Sequence, residues 1–193
     1  MKHAAILLAI MSIAASCASP ISWTSEEKEL IRKDSACMRV LTIADPQDSL
    51  VLRQSSTDLT KEDIADGLYR TLAEKMLATV TSPEQDGVGI AGPQVGILRR
   101  VVAVMRYDKD GCPFEVYPNI RILETRGETE PGPEGCLSVP DMRGDVARYQ
   151  DITISYTDPV TLADTTETVQ GYSAVIFQHE CDHLDGILYI DRL

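Results

Sequence analysis

The sequence predicts an α+β fold in which mixed or antiparallel β-sheets pack around a buried C-terminal helix. Two observations carry that expectation. Ile64, Leu68, Leu72 and Met76 recur four apart, and Ala174–Leu184 reads as a second long helix ending at Asp185-Gly186. Between these helices lie short runs of branched or aromatic residues separated by Gly and Pro, the pattern of strands and turns.

At 193 residues, one compact domain with a sizeable core is expected. Its formal charge of −12 argues against a nucleic-acid partner, because a phosphate backbone calls for a basic surface. Residues 1–17 read as a separate segment. After Lys2 and His3, the apolar run Ala4–Ala15 is broken only by Ser12. It is shorter than the roughly 20 residues needed to cross a bilayer, and it suits the apolar region of a signal peptide. The run ends in Ala14-Ala15-Ser16-Cys17, which resembles a bacterial lipoprotein cleavage box with Ala14 where Leu is usual. Cys17 would then be a lipidated N-terminus, membrane-attached in the cell envelope. Ordinary cleavage, for example after Ala18, and an uncleaved start in the cytoplasm are the alternatives.

Residues 18–38 read as a linker with a short helix, opened by the capping-box pattern Thr24-Ser25-Glu26-Glu27. The main domain is expected over 39–193. Asp45-Pro46 and Ser55–Asp58 read as turns or loops. Thr60 followed by Asp63 opens the clearest helix, which must end before Pro83 and Gly87. Strands are expected at Val101–Met105, Phe114–Tyr117, Arg121–Thr125 and Asp151–Thr157, with Thr166–Gln170 able to pair with the last. Ser173 is the expected N-cap of the last helix. The five cysteines show no disulfide-framework spacing, and Cys181 reads as a small buried thiol.

The chemistry starts in that helix. His179-Glu180-Cys181-Asp182-His183 is an H-E-x-x-H motif, two of only three histidines in the chain standing one helical turn apart. Both imidazoles can reach one ion, and Glu180, rotated by about 100°, stands beside it where a carboxylate can move protons. The bland reading is two packed helix histidines. A catalytic site wants three protein ligands and an open position. Tyr189 stands where metzincins carry their third His, so an upstream Cys or carboxylate has to serve. Glu134-Gly135-Cys136-Leu137-Ser138-Val139 holds a thiol before a strand-like Leu-Ser-Val; a merely buried cysteine is the alternative. The segment Gly87–Gly96 is rich in glycine and lets backbone approach a ligand, but no phosphate-binding GK[ST] follows.

Taken together and in this order, the Gly-rich segment ending in Pro93-Gln94, the Glu134–Ser138 segment and Gln178-His179-Glu180-x-x-His183 resemble the peptide deformylases. The resemblance runs from about Arg39 to the C-terminus. It implies Cys136, His179 and His183 as ligands of one divalent metal ion, Fe(II) foremost with Zn, Ni or Co as alternatives. Glu180 would be the acid/base, and Gln94 and the Leu137 N–H would donate to the oxyanion. Gly89 would bind the peptide backbone. Val88, Leu137, Tyr172, Val175 and Ile176 would line an apolar pocket for Met, with Arg143 at the rim. The implied reaction removes formate from N-formylmethionyl peptides. Gln178 and Asp182 are expected to support the site or simply to pack. Gly92 replaces an alanine common in the family and is expected only to loosen its loop. Many members continue into a basic C-terminal helix; none follows Leu193 here, so ribosome docking is not expected, and a monomer is. An H-E-x-x-H metallopeptidase and a non-catalytic peptide-binding lipoprotein are the rival readings.

Overall fold

The computed structural model describes residues 22–193, so the expectations for the apolar start and Cys17 lie outside the described residues. Helix α1 spans Ser25–Arg32. Thr24 accepts the Glu27 N–H at 3.2 Å and Glu27 accepts the Thr24 N–H at 2.8 Å, a complete capping box. This helix is docked on the domain rather than held in a linker. Trp23 and Ile31 are buried in one cluster with Leu72 and Val101, and Arg99 binds the Glu27 carboxylate at 2.6 and 2.8 Å. Asp45-Pro46, expected as a turn, opens α2 (Pro46–Leu52): Asp45 caps it and Pro46 takes a first-turn position that needs no N–H.

The helix expected from Thr60 is two helices, α3 (Lys61–Ala65) and α4 (Gly67–Val80). Asp66 divides them: it adopts extended backbone and its carboxylate accepts the Leu68 N–H, the competition for backbone that makes Asp a cap. The apolar face survives the break, since Ile64, Leu68, Leu72 and Met76 are all buried.

Two three-stranded sheets follow, both antiparallel. The first has the order β1-β2-β3, from Gly89–Ala91, Val101–Met105 and Phe114–Pro118. The second, β4-β5-β6, uses Arg121–Cys136, Val139–Thr157 and Asp164–Gln170. The strand expected at Arg121–Thr125 is thus the start of a long hairpin. Pro131 and Pro133 are tolerated within β4 because it is an edge strand, with no second neighbour to receive an N–H. Leu137 and Ser138, expected as strand, are the two-residue turn of this hairpin, with Cys136 paired to Val139.

Helix α5 (Tyr172–Leu184) touches strands of both sheets, β5 and β6 on one side and β1 and β2 of the other sheet. Gly171, at φ +63°, is its N-cap; Ser173 lies inside the helix, where its hydroxyl accepts the Asp108 N–H. Past the helix, Gly186 sits at φ +73°, and a Cβ there would lie 2.6 Å from the Arg53 carbonyl oxygen. Among the described residues, no helix is long and apolar enough to cross a membrane.

Candidate active site

α5 puts His179 and His183 on one face, with ring centroids 5.1 Å apart. The tip of the β4–β5 hairpin brings Cys136 to them. The three ligand atoms all lie within 4.8 Å of one another, with Cys136 Sγ 3.1 Å from His183 Nε2. Sγ also accepts the Ser138 N–H at 3.4 Å, a contact fixed by the tight turn.

The donor set suits a divalent cation. His183 is fully buried, and burial pushes its pKa well below the usual imidazole value, leaving the neutral ring a ligand must be. Its Nδ1 has no hydrogen-bond partner. His179 behaves oppositely. Burial alone would lower its pKa, but the Cys136 sulfur and the Glu134 carboxylate raise it to about 10. The pocket around Nε2 of His179 and Sγ is therefore one that favours added positive charge, which an ion of sulfur–nitrogen preference supplies.

Behind His179 stands Glu134, whose Oε2 accepts from Nδ1 at 2.7 Å. Glu134 is buried, yet hydrogen bonds from His179 and Arg148 outweigh the cost of burial and hold its carboxyl down at about 2. Arg148 grips it at 2.7 and 3.1 Å and reaches Asp182 at 2.6 Å. A carboxylate on the remote nitrogen fixes ring orientation and tautomer.

Glu180 is 4% exposed, its Oε2 has no partner, and burial pushes its carboxyl up to about 7. It faces the backbone of β1: a Cβ on Gly89 would lie 2.4 Å from Glu180 Oε1. Gln94 is oriented by the Ala91 N–H, which donates to its Oε1 at 2.8 Å. Its amide nitrogen therefore points to Ser138 Oγ at 3.1 Å and Cys136 Sγ at 3.6 Å. Gly92, expected only to loosen this segment, is packed: a Cβ would lie 2.6 Å from the Ile97 carbonyl oxygen and 2.7 Å from that of Arg99.

These groups open onto a cleft of about 730 Å³. Val88 and Gly89 line it from the start of β1, Leu137 from the hairpin turn, and Tyr172, Val175 and Ile176 from α5. Arg143 stands on the β5 wall and is exposed. The family model for polypeptide deformylase matches residues 37–193. The chain belongs to this family.

A peptide deformylase of Leptospira biflexa is 36% identical over 165 residues, covering 82% of this chain and 88% of that protein. One from Thermotoga petrophila is 40% identical over 156 residues, covering 80% and 86%. Among solved structures, a Met-Ala-Ser-bound class I type b peptide deformylase from Acinetobacter baumannii is 34% identical. It has a TM-score of 0.72 and covers 82% of this chain and 99% of that one. Cys136, His179 and His183 cluster together, and the other deformylase-like positions singled out in the sequence line the cleft. Gln178 stands apart: it clamps α5 to β5 through the Tyr149 N–H (3.1 Å) and carbonyl (2.7 Å). Three supporting groups escaped the sequence reading, namely Ser138, Arg148 and the role of Glu134. Glu134 was in view inside the Cys136 segment, but 45 positions separate it from His179 and no spacing rule links them.

Proposed function

We propose that this chain hydrolyses the formyl amide of N-formylmethionyl peptides, giving formate and a free N-terminal Met. A catalytic acid standing on a helix that carries two of three metal ligands is the H-E-x-x-H arrangement. Cys136, His179 and His183 would hold one divalent ion, Fe(II) foremost with Zn, Ni or Co able to substitute, in keeping with a thiolate and two imidazoles. When bound, such an ion supplies Lewis-acid polarisation of the carbonyl and lowers the pKa of water towards neutrality.

The chain's own residues do the rest. Oε2 of Glu180 takes a proton from water as the water oxygen bonds to the formyl carbon. The Gln94 amide and the Leu137 N–H donate to the oxygen on which negative charge develops, and losing one such donor typically costs about 10²–10³ in rate. When the carbon–nitrogen bond breaks, Glu180 returns its proton to the leaving amine. Val88, Leu137, Val175 and Ile176 offer an apolar wall for the Met side chain, with Tyr172 and Arg143 at the rim and the Gly89 backbone open to the peptide.

The observation that carries this reading is the buried, unpartnered Oε2 of Glu180 beside the Cys136–His179–His183 cluster. Formate release from formyl-Met-Ala-Ser, with ion content measured, tests it. Glu180→Gln is expected to keep its ion and lose about 10²–10⁴ in kcat. Equal rates in both proteins would remove Glu180 from the mechanism.

The place of action is part of the proposal. The Ala4–Ala15 run and Cys17 support an exported lipoprotein, a monomer on the envelope meeting formylated peptides there. Residues 1–20 fused to a reporter should carry it to the membrane fraction; a purely soluble cytosolic reporter would overturn this.

A further inference from the structure

Asp182 lies one residue before the ligand His183, and its carboxylate is part of a chain of charges. Arg148 is a fork shared by two carboxylates: Nε and Nη2 bind Glu134, while Nη1 binds Asp182. The chain does not end there. Arg192 closes it with two contacts of 2.5 Å, one to each oxygen of Asp182. The sequence His179–Glu134–Arg148–Asp182–Arg192 therefore alternates in sign behind the imidazole.

We infer that Arg192 is a positioning residue for the metal ligand His179, acting through Asp182, Arg148 and Glu134. The reason is competition. With Arg192 in place, both oxygens of Asp182 are satisfied and the charge of that carboxylate is balanced. Without it, Asp182 is a nearly buried anion whose remaining cation is Arg148. The guanidinium is then drawn towards Asp182 and away from Glu134, since a mostly buried carboxylate left half paired competes for the cation that remains. Glu134 loses its clamp, and the His179 ring loses the partner that fixes its orientation.

The neighbouring residues supply a control. Asp191 binds Arg53, and Leu193 packs against Gly144, so the same segment is pinned at two further points that do not touch Asp182. A loosened segment and a broken charge chain can thus be separated.

The inference rests on the proposed ion site, and its test reads the ion directly. Zinc-loaded wild type, Arg192→Ala, Arg192→Lys and Arg53→Ala are mixed with excess chelator, and the rate of zinc loss is followed. KM, kcat and the melting temperature of the apoprotein are measured alongside. Arg192→Ala should lose zinc about fivefold faster, less than the 10–100-fold typical of a ligand's direct partner, because three residues intervene. Arg192→Lys should recover part of the loss, Arg53→Ala should match wild type, and KM should stay within about twofold. Equal zinc loss in Arg192→Ala and wild type, or equal acceleration in Arg53→Ala, would overturn the inference. Should Arg192→Ala fail to fold, Arg192→Lys against Arg192→Gln gives the same contrast. A wild-type chain that takes up no zinc would instead count against the ion site itself.

Discussion

Arg106 and Arg148 are both buried, each bridges more than one carboxylate, and they serve different ends. Arg106 is fully buried, held by Asp108 at 2.6 and 2.9 Å, Glu167 at 2.7 and 3.2 Å and Glu115 at 3.3 Å. It also donates to the Tyr117 hydroxyl and lies 5.6 Å from the centre of the Phe177 ring on α5. Arg148 is built alike, between Glu134 and Asp182. The difference is where each chain of charges stops. The first ends on Lys109, which pairs with Glu115 and Glu167, and it ties the end of β2 to β3 and β6. The second stops on an imidazole that faces Cys136 and His183. Burial and pairing of an arginine therefore do not mark a functional group; its last partner does.

The comparison can be broken most forcefully at Arg106. Arg106→Met removes the main cation of Asp108 and Glu167 while Lys109 still holds Glu115, and breaking such a pair costs about 3–5 kcal/mol. Denaturant unfolding should show that loss, while the folded fraction keeps wild-type zinc affinity and wild-type kcat. A fall in zinc affinity equal to that of an Arg148-side variant would erase the distinction.

A smaller effect is expected with acid. Hydrogen bonding to Arg106 holds the Asp108 carboxyl at about 2, below its usual 3.8. A carboxyl depressed on folding stabilises the folded state fully above the unfolded value and loses that contribution as pH falls through the folded one. The contribution of Asp108 should thus disappear between about 3.8 and 2. Asp108→Asn should flatten the stability curve across that window and leave it parallel to wild type above pH 5. An unchanged acid limb would show that Asp108 is not held by Arg106 in solution.

Much of this was legible in the sequence, for physical reasons that also explain what was not. Val101–Met105 is a continuous branched run and forms β2 with those bounds. The four-residue spacing of His179 and His183 fixed their common face, and the family motifs pointed to Cys136, which the hairpin tip brings to them. The body of that hairpin was not legible. Residues 126–150 mix Gly127, Pro131, Gly132 and Pro133 with charged side chains, and its strand character comes from pairing rather than from propensity. The break at Asp66 hid under an unbroken apolar face, which helix periodicity cannot resolve. Arg148 and Arg192 were single charged residues whose partners are remote in sequence, and such pairs carry no local signal.

The measurement that bears most directly on the account is zinc affinity in two matched variants, Glu134→Gln and Glu167→Gln, each removing one carboxylate from a buried arginine. Glu134→Gln should bind zinc about 10–100-fold more weakly than wild type, as expected when the partner that orients a ligand is lost. Glu167→Gln should bind it as wild type does, with its cost confined to unfolding. Equal zinc affinity in the two variants would contradict the assignment of the Arg148 chain to the metal centre.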